Sequence, residues 1–164
     1  MNKLTLQTHL RFSILSFSML YLTSYSLHAA DLPSDASVVK PAVVKALQTG
    51  REAVKAKDWE KAIVQFKLAT VQEPKNADAY NMLAYSYRKQ AKPDLPKAFE
   101  NYNLALKLDP KHKGAHEYIG EAYLMDNKPA EAEKHLVLLA TICGNKTCEE
   151  YQDLEKAIAD YSKK

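Results

Sequence analysis

The stretch that decides the fold is residues 50–74, which read GREAVKAKDWEKAIVQFKLATVQEP. It carries small residues at Gly50 and Ala62, an aromatic ring at Phe66 and a closing proline. Residues 84–110, AYSYRKQAKPDLPKAFENYNLALKLDP, repeat this arrangement, with alanine, alanine, tyrosine and proline at the matching places. Proline cannot continue the hydrogen-bonded ladder of a helix, so each copy ends in a helix stop. Two matching copies of this length predict an internal repeat of paired helices.

The period of the repeat is 34 residues. Gly50 and Ala84 are 34 positions apart, whereas Ala84 and Gly120 are 36 apart. The two extra residues fall in the segment 92–96, KPDLP, whose prolines suit a lengthened turn and the first turn of the next helix. A third copy, residues 120–144, has leucine and glycine in place of the ring and the proline. The small residues of each copy predict close packing, because larger side chains would push the helices beyond the usual separation of about 8–10 Å.

The composition favours helices and excludes several other classes of protein. Only 4 glycines and 7 prolines occur among the 164 residues, and glycine is what the tight turns of a many-stranded sheet require. These counts, together with 2 cysteines, exclude collagen-like, low-complexity and disulfide-dense proteins. A content of 46% hydrophobic and 26% charged residues is typical of a globular chain. We therefore expect one mostly helical domain.

The repeat resembles the tetratricopeptide repeat (TPR), a helix–turn–helix unit of the same length. The resemblance implies an all-α, right-handed α-α superhelix, a TPR solenoid, over residues 41–164. Its three repeats would cover about 43–76, 77–112 and 113–146, followed by a capping helix at 148–162. Seven helices are expected in all, at about 41–56, 59–73, 77–90, 95–108, 112–126, 129–142 and 148–162. The apolar residues of the last helix form a single stripe, which would cover the open end of the stack.

Residues 1–30 have the three parts of a secretory signal peptide, namely a basic start, an apolar middle and small residues at the end. Cleavage is expected near Ala29 or Ala30, with residues 31–40 as an extended leader; an uncleaved anchor is the alternative. Removal of the segment takes two basic residues from a net charge of +3, so the mature chain gives no reason to expect nucleic acid or an anionic membrane as a partner. Parts of the third repeat and the cap also resemble small exported bacterial TPR proteins. We therefore expect a periplasmic protein with no membrane insertion after cleavage.

Cys143 and Cys148 are the only cysteines, and they flank the corner between the last repeat and the cap. In an exported protein an even number of cysteines favours a disulfide, which in so short a loop is worth about 2 kcal/mol. Unpaired thiols, a metal site and an intermolecular bond are alternatives. A redox-active pair is a further one, although the spacing is not Cys-x-x-Cys and no thioredoxin-like βαβ pattern is present.

No motif for catalysis or for a cofactor stands out. His112 and His116 lie four positions apart on one helix face, a spacing that can bind metal, but no third ligand follows at a suitable distance. Packing or capping is the expected role of both. The sequence contains no glycine-rich phosphate loop and no Gly-x-Ser-x-Gly elbow. We therefore expect a protein that is not an enzyme and that needs no cofactor and no metal.

The resemblance also implies a ligand groove, lined by the first helix of each repeat. Carried over by position, the partner-binding residues are Arg51, Lys55, Asn81, Tyr85, Arg88, Lys89, Glu117, Glu121 and Met125. The groove changes from basic to acidic along its length, with Tyr85 between, which suits an extended peptide or a partner helix. A merely solvated helix face is the alternative.

Some TPR proteins grip a C-terminal carboxylate with lysine, asparagine and arginine at set groove positions. Here those positions hold Leu47, Arg51, Met82, Gly114 and Tyr118, so chaperone C-termini are not expected as ligands. The expected function is a non-catalytic scaffold or adaptor of the bacterial cell envelope that binds a protein or peptide partner. Two alternatives stay open: a redox-linked periplasmic accessory protein that uses Cys143 and Cys148, and a self-associating TPR protein that forms a homo-oligomer.

Overall fold

The structure, a computed structural model, describes residues 41–163, which form seven α-helices and no strand. The helices are α1 (Pro41–Lys55), α2 (Trp59–Gln72), α3 (Ala77–Lys89), α4 (Leu95–Leu108), α5 (Lys113–Met125), α6 (Pro129–Cys143) and α7 (Glu149–Tyr161). Their order, and their ends to within one residue, agree with the sequence prediction. The predicted signal peptide and leader, residues 1–40, lie outside the described residues. The all-α architecture of stacked helix pairs is confirmed.

Four helices begin at a residue whose side chain accepts a hydrogen bond from the backbone N–H three positions further on. The first N–H groups of a helix have no partner inside it, and such a side chain satisfies one of them. The capping residues are Asp58, Asn76, Asp94 and His112. They recur every 18 positions, so each of these helix starts is fixed locally by the sequence. The capping role expected for His112 is confirmed.

The helices pack in consecutive pairs, α1 with α2, α3 with α4 and α5 with α6. A β-carbon at Gly50 would lie 2.7 Å from two ring carbons of Phe66, so a larger residue cannot fit there without displacing the ring. Phe66 and the matching Tyr102 are both fully buried. The close contact that the small residues predict is therefore present in the first pair, between α1 and α2.

The last helix, α7, closes the stack by packing against α5 and α6. It buries Tyr151 and Leu154 in a cluster with Leu139 of α6. A β-carbon at Gly120 would lie 2.7 Å from both Cδ atoms of Leu154, so Gly120 makes room for the capping helix rather than for the second helix of its own pair, which is where the sequence pattern placed its contact. The predicted capping role of α7 is confirmed. Among the described residues, no helix combines the length and the apolar character that a membrane span requires.

Candidate partner-binding groove

The first helices of the three pairs, α1, α3 and α5, carry the nine residues predicted to line the groove, and these lie at different depths. Arg51, Lys55, Lys89 and Met125 are exposed, and Tyr85 and Glu121 are half-buried. Asn81, Arg88 and Glu117 are buried, with exposed fractions of 3%, 5% and 7%. The repeat pattern predicts all nine as surface side chains. We call the three buried residues the floor of the candidate groove and the other six, which are exposed or half-buried, its walls and rim.

Three half-buried aromatic rings, one each from α2, α3 and α5, contact one another in a row. The ring of Trp59 meets that of Tyr85 edge-on, with the centroids 6.1 Å apart, and the centroids of Tyr85 and Tyr118 are 4.8 Å apart. Rings at these separations attract one another. The position of Tyr85 could be predicted from the sequence, but its contact with Trp59 could not. The two residues belong to different repeats, and helical spacing relates only residues a few positions apart. We call Trp59, Tyr85 and Tyr118 the aromatic line.

The buried guanidinium of Arg88 holds the floor of the groove together. Its Nη2 forms a salt bridge of 2.5 Å with Oε2 of Glu121, and its Nε donates a hydrogen bond of 3.2 Å to the hydroxyl of Tyr102. The guanidinium carbon lies 5.3 Å from the ring centroid of Tyr85 and 5.7 Å from that of Tyr118, a cation–π arrangement. Burial lowers the pKa of Arg88, but the interactions with Tyr102 and Glu121 raise it by more, so the pKa lies above its ordinary value. Arg88 is therefore a fixed internal cation rather than a side chain free to reach a ligand.

The carboxyl group of Glu117 is the second titratable group of the floor. Within residues 41–163 it forms no hydrogen bond and no salt bridge. Burial is the largest cause that raises its pKa, from 4.5 to about 8; the negative charges of Glu121, Asp153 and Glu150 add to the effect, and Arg88 opposes it. Glu117 is therefore mostly protonated at neutral pH, and a nearby positive charge would favour its carboxylate form.

The basic rim of the groove is partly neutralised by an acidic residue. Nη2 of Arg51 lies 2.8 Å from Oδ2 of Asp78, and Nε2 of His112 lies 3.1 Å from Oδ1 of the same carboxylate. The hydrogen bond with His112 is the largest cause that lowers the pKa of Asp78, and it raises the pKa of His112 in turn. Lys55 and Lys89 remain as exposed cations, and Nζ of Lys89 lies 5.8 Å from the ring centroid of Tyr85.

The corner that precedes α7 contains a disulfide between Cys143 and Cys148. Both residues are half-buried, and the bond joins the end of α6 to the start of α7. A carboxylate oxygen of Glu150 and the two sulfurs lie within 4.8 Å of one another. Because metals bind thiolates and both sulfurs are engaged in the disulfide, this group of three is not a metal site in its oxidised form.

His116 is buried in a pair with His135 of α6. Their Nδ1 atoms are 2.9 Å apart, and Nε2 of His116 lies 3.0 Å from the carbonyl oxygen of Pro110. A carbonyl only accepts, so Nε2 of His116 donates, and Nδ1 of His135 donates to the free nitrogen of His116. Burial and the adjacent His116 lower the pKa of His135 to about 4. The packing role expected for His116 is confirmed; its partner could not be predicted, because it lies on a different helix.

The fold defined by these helix pairs is that of a TPR domain, as comparison with solved structures shows. The TPR2B domain of yeast Sti1 in its pHsp70 complex has a TM-score of 0.67 and 20% identity over 74% of this chain and 97% of its own. The Sgt2 TPR domain from Aspergillus fumigatus has a TM-score of 0.66 and 22% identity over 75% of this chain and 78% of its own. The Yersinia enterocolitica type III secretion translocator chaperone SycD has a TM-score of 0.63 and 17% identity over 74% of this chain and 89% of its own. No protein-family model and no curated protein matches the sequence.

Proposed function

We propose that this protein is a non-catalytic interaction module that holds an extended peptide or a helix of a partner protein in the groove of α1, α3 and α5. The observation that carries the proposal is the aromatic line, a row of three contacting rings that are each half-buried. Aromatic side chains that are partly exposed around charged groups are typical of binding surfaces. The similar TPR domain of yeast Sti1 is described in complex with pHsp70, and the second TPR domain of human RPAP3 with the HSP70 peptide SGPTIEEVD.

The residues of the groove argue against a C-terminal carboxylate as the ligand. The five positions that form a carboxylate clamp in some TPR proteins hold Leu47, Arg51, Met82, Gly114 and Tyr118. Arg51 is the only cation among them, and it already pairs with Asp78. The floor of the groove supplies no free cation in place of the clamp lysine, because Arg88 is already paired with Glu121. An internal segment of a partner is therefore the better ligand.

We also propose that the protein acts in the bacterial cell envelope, after export by the segment 1–30. The disulfide between Cys143 and Cys148 supports this setting, because such bonds persist in oxidising compartments and are rare in the cytosol. Detection of a periplasmic protein whose N-terminus is Ala30 or Asp31 would support the proposal. An intact N-terminus in the cytosolic fraction would contradict it.

Site-specific photo-crosslinking in cells tests the groove as the binding site. A photoreactive phenylalanine at Tyr85 is expected to give discrete crosslinked products, identified by mass spectrometry. The same group at Lys107, an exposed residue of α4, serves as the matched control and is expected to give none of them. Identical products from both positions, or none from Tyr85, would show that the groove is not the binding surface.

Two alternatives each have an observation in their favour. The half-buried Cys143 and Cys148 could cycle between thiol and disulfide; thiol trapping in cells would then find a mixed redox state, whereas a structural bond is found fully oxidised. Val137 and Leu138 of α6 are exposed, at 66% and 45%, and could support self-association at this end of the stack. Sedimentation at two protein concentrations would reveal a homo-oligomer.

A further inference from the structure

Two acceptors in the floor of the groove have no donor among the described residues, and one of them is fully shielded from solvent. The first is the carboxyl group of Glu117, a residue that is 7% exposed and whose oxygens keep some contact with solvent. The other is Oδ1 of Asn81, a residue that is 3% exposed. A buried polar group without a partner is costly, and native proteins rarely leave one. Both acceptors therefore suit a donor that comes from outside the chain.

The two acceptors belong to one seam, between α3 and α5. A β-carbon at Gly114 would lie 3.4 Å from Nδ2 of Asn81, so the side chain of Asn81 reaches α5 one turn before Glu117. Tyr118, next to Glu117 in the sequence, contacts Tyr85 of α3. The aromatic line thus passes beside the acceptors, and the apolar stem of a lysine or arginine side chain could pack on these rings.

The groups with the largest effect on Glu117 include three carboxyl groups and one cation, Arg88. The charged and titratable groups that face Glu117 are Arg88 and Tyr85 on α3, Tyr118 and Glu121 on α5, and Glu150 and Asp153 on α7. Arg88 already pairs with Glu121 and donates a hydrogen bond to Tyr102. The nearby cation Lys113 is also paired, because its Nζ lies 3.8 Å from Oε2 of Glu150. Next to the seam, an open depression of about 260 Å³ between α5 and α7 is lined by Glu121, Asp153, Lys156, Ala157 and Asp160.

We propose that the α3–α5 seam is a subsite for one basic side chain, lysine or arginine, of the bound partner, with the carboxylate of Glu117 as its counter-ion and Oδ1 of Asn81 as a second acceptor. The proposal rests on the proposed function, because it names the chemistry that the groove selects. Arg88 is already paired with Glu121, so a cation that enters the seam would be the ion-pair partner of Glu117. Glu117 loses its proton as this ion pair forms.

Selection of a random peptide library tests the subsite and separates its failure from that of the groove. The purified protein is expected to enrich peptides with lysine or arginine at one fixed position. Glu117→Gln, which keeps the size of the side chain, is expected to lose that preference and to bind a selected peptide about 30-fold more weakly. The matched control, Glu100→Gln, changes an exposed acid of α4 and is expected to behave as the wild type.

Each outcome of the selection has a definite meaning. Enrichment without a basic position, or the same basic preference in Glu117→Gln, would overturn the subsite and leave the groove intact. No enrichment at all would overturn the proposed function. Free cadaverine presents the same ammonium group without a peptide; if it displaced the selected peptide completely, the seam would be a site for small amines instead.

Calorimetry of a selected peptide supplies a second readout, which a purely structural role of Glu117 would not move. At pH 7 the complex is expected to release close to one proton, seen as a binding enthalpy that changes with the ionisation enthalpy of the buffer. Affinity is expected to rise with pH and to level off above about 8, the pKa of Glu117 in the free protein. Glu117→Gln should show neither effect, and proton release that persists in this variant would overturn the assignment of the counter-ion.

Discussion

Replacement of Gly50 by alanine provides the sharpest test of how this chain packs. In an open helix the change would stabilise the protein by about 1 kcal/mol, because alanine is the better helix former. Here the new β-carbon would lie 2.7 Å from two carbons of the Phe66 ring, well inside the contact distance of about 3.5–4.0 Å. Phe66 is fully buried, so its rigid ring can move only by displacing its neighbours.

The expected size of the effect follows from two opposing contributions. Overpacking of a buried site costs about 1–3 kcal/mol, and the rigidity of Phe66 favours the upper end of that range. After the helix-forming gain is subtracted, Gly50→Ala should lower the free energy of unfolding by about 2 kcal/mol. Such a loss reduces the ratio of folded to unfolded protein by a factor of about 30.

Urea unfolding followed by circular dichroism measures this loss, and the chain offers its own control. A β-carbon at Gly114 would have Asn81 Nδ2 as its nearest neighbour, at 3.4 Å, so Gly114→Ala makes the same chemical change at a site with room. That variant is expected to match or slightly exceed the stability of the wild type. If Gly50→Ala were as stable as Gly114→Ala, the close contact between α1 and α2 would not have the energetic role assigned to it.

Three further predictions concern the charged floor and the corner. Arg88→Ala should lower the free energy of unfolding by about 3 kcal/mol, because it leaves Glu121 and the hydroxyl of Tyr102 without their partner. Arg51→Ala, at an exposed pair, should lower it by less than about 1 kcal/mol, and similar losses would contradict the buried network. Serine at both Cys143 and Cys148 should cost about 2 kcal/mol, and a reductant that left the urea midpoint of the wild type unchanged would refute this. The raised pKa of Glu117 means that the wild type loses stability as the pH rises from about 4.5 to 8, since the folded state keeps a proton that the unfolded state gives up. The free energy of unfolding of Glu117→Gln should not fall over this pH range. If it fell in parallel with that of the wild type, Glu117 would not be the group with the raised pKa.

The helices of this protein could be predicted from sequence because their signals are local. Four helix starts have a capping side chain, such as Asp58 before α2, and α1 and α6 begin at a proline. The repeat shows these signals more than once. The role of α7 could also be predicted, because its apolar residues recur at helical spacing. Such periodic signals need no knowledge of which distant residues meet.

The depth of each residue in the groove could not be predicted in the same way. A repeat position shows which face of a helix a residue occupies, but not how much another helix covers that face. Glu117 is buried on α5, which packs against α7, and the charges of Glu150 and Asp153 on α7 act on it. The pair of His116 and His135 escaped prediction for a similar reason, since 19 positions and a turn separate the two rings.

The contact of Trp59 with Tyr85 has a practical consequence for measurement. Trp59 is the only tryptophan in the chain, so excitation at the red edge of its absorption produces emission from one known place. That indole borders the groove through Tyr85, and its emission depends on the polarity of what surrounds it. The protein therefore carries its own optical reporter, and a titration with any candidate ligand can be followed through the colour and intensity of that single emitter without attaching a dye.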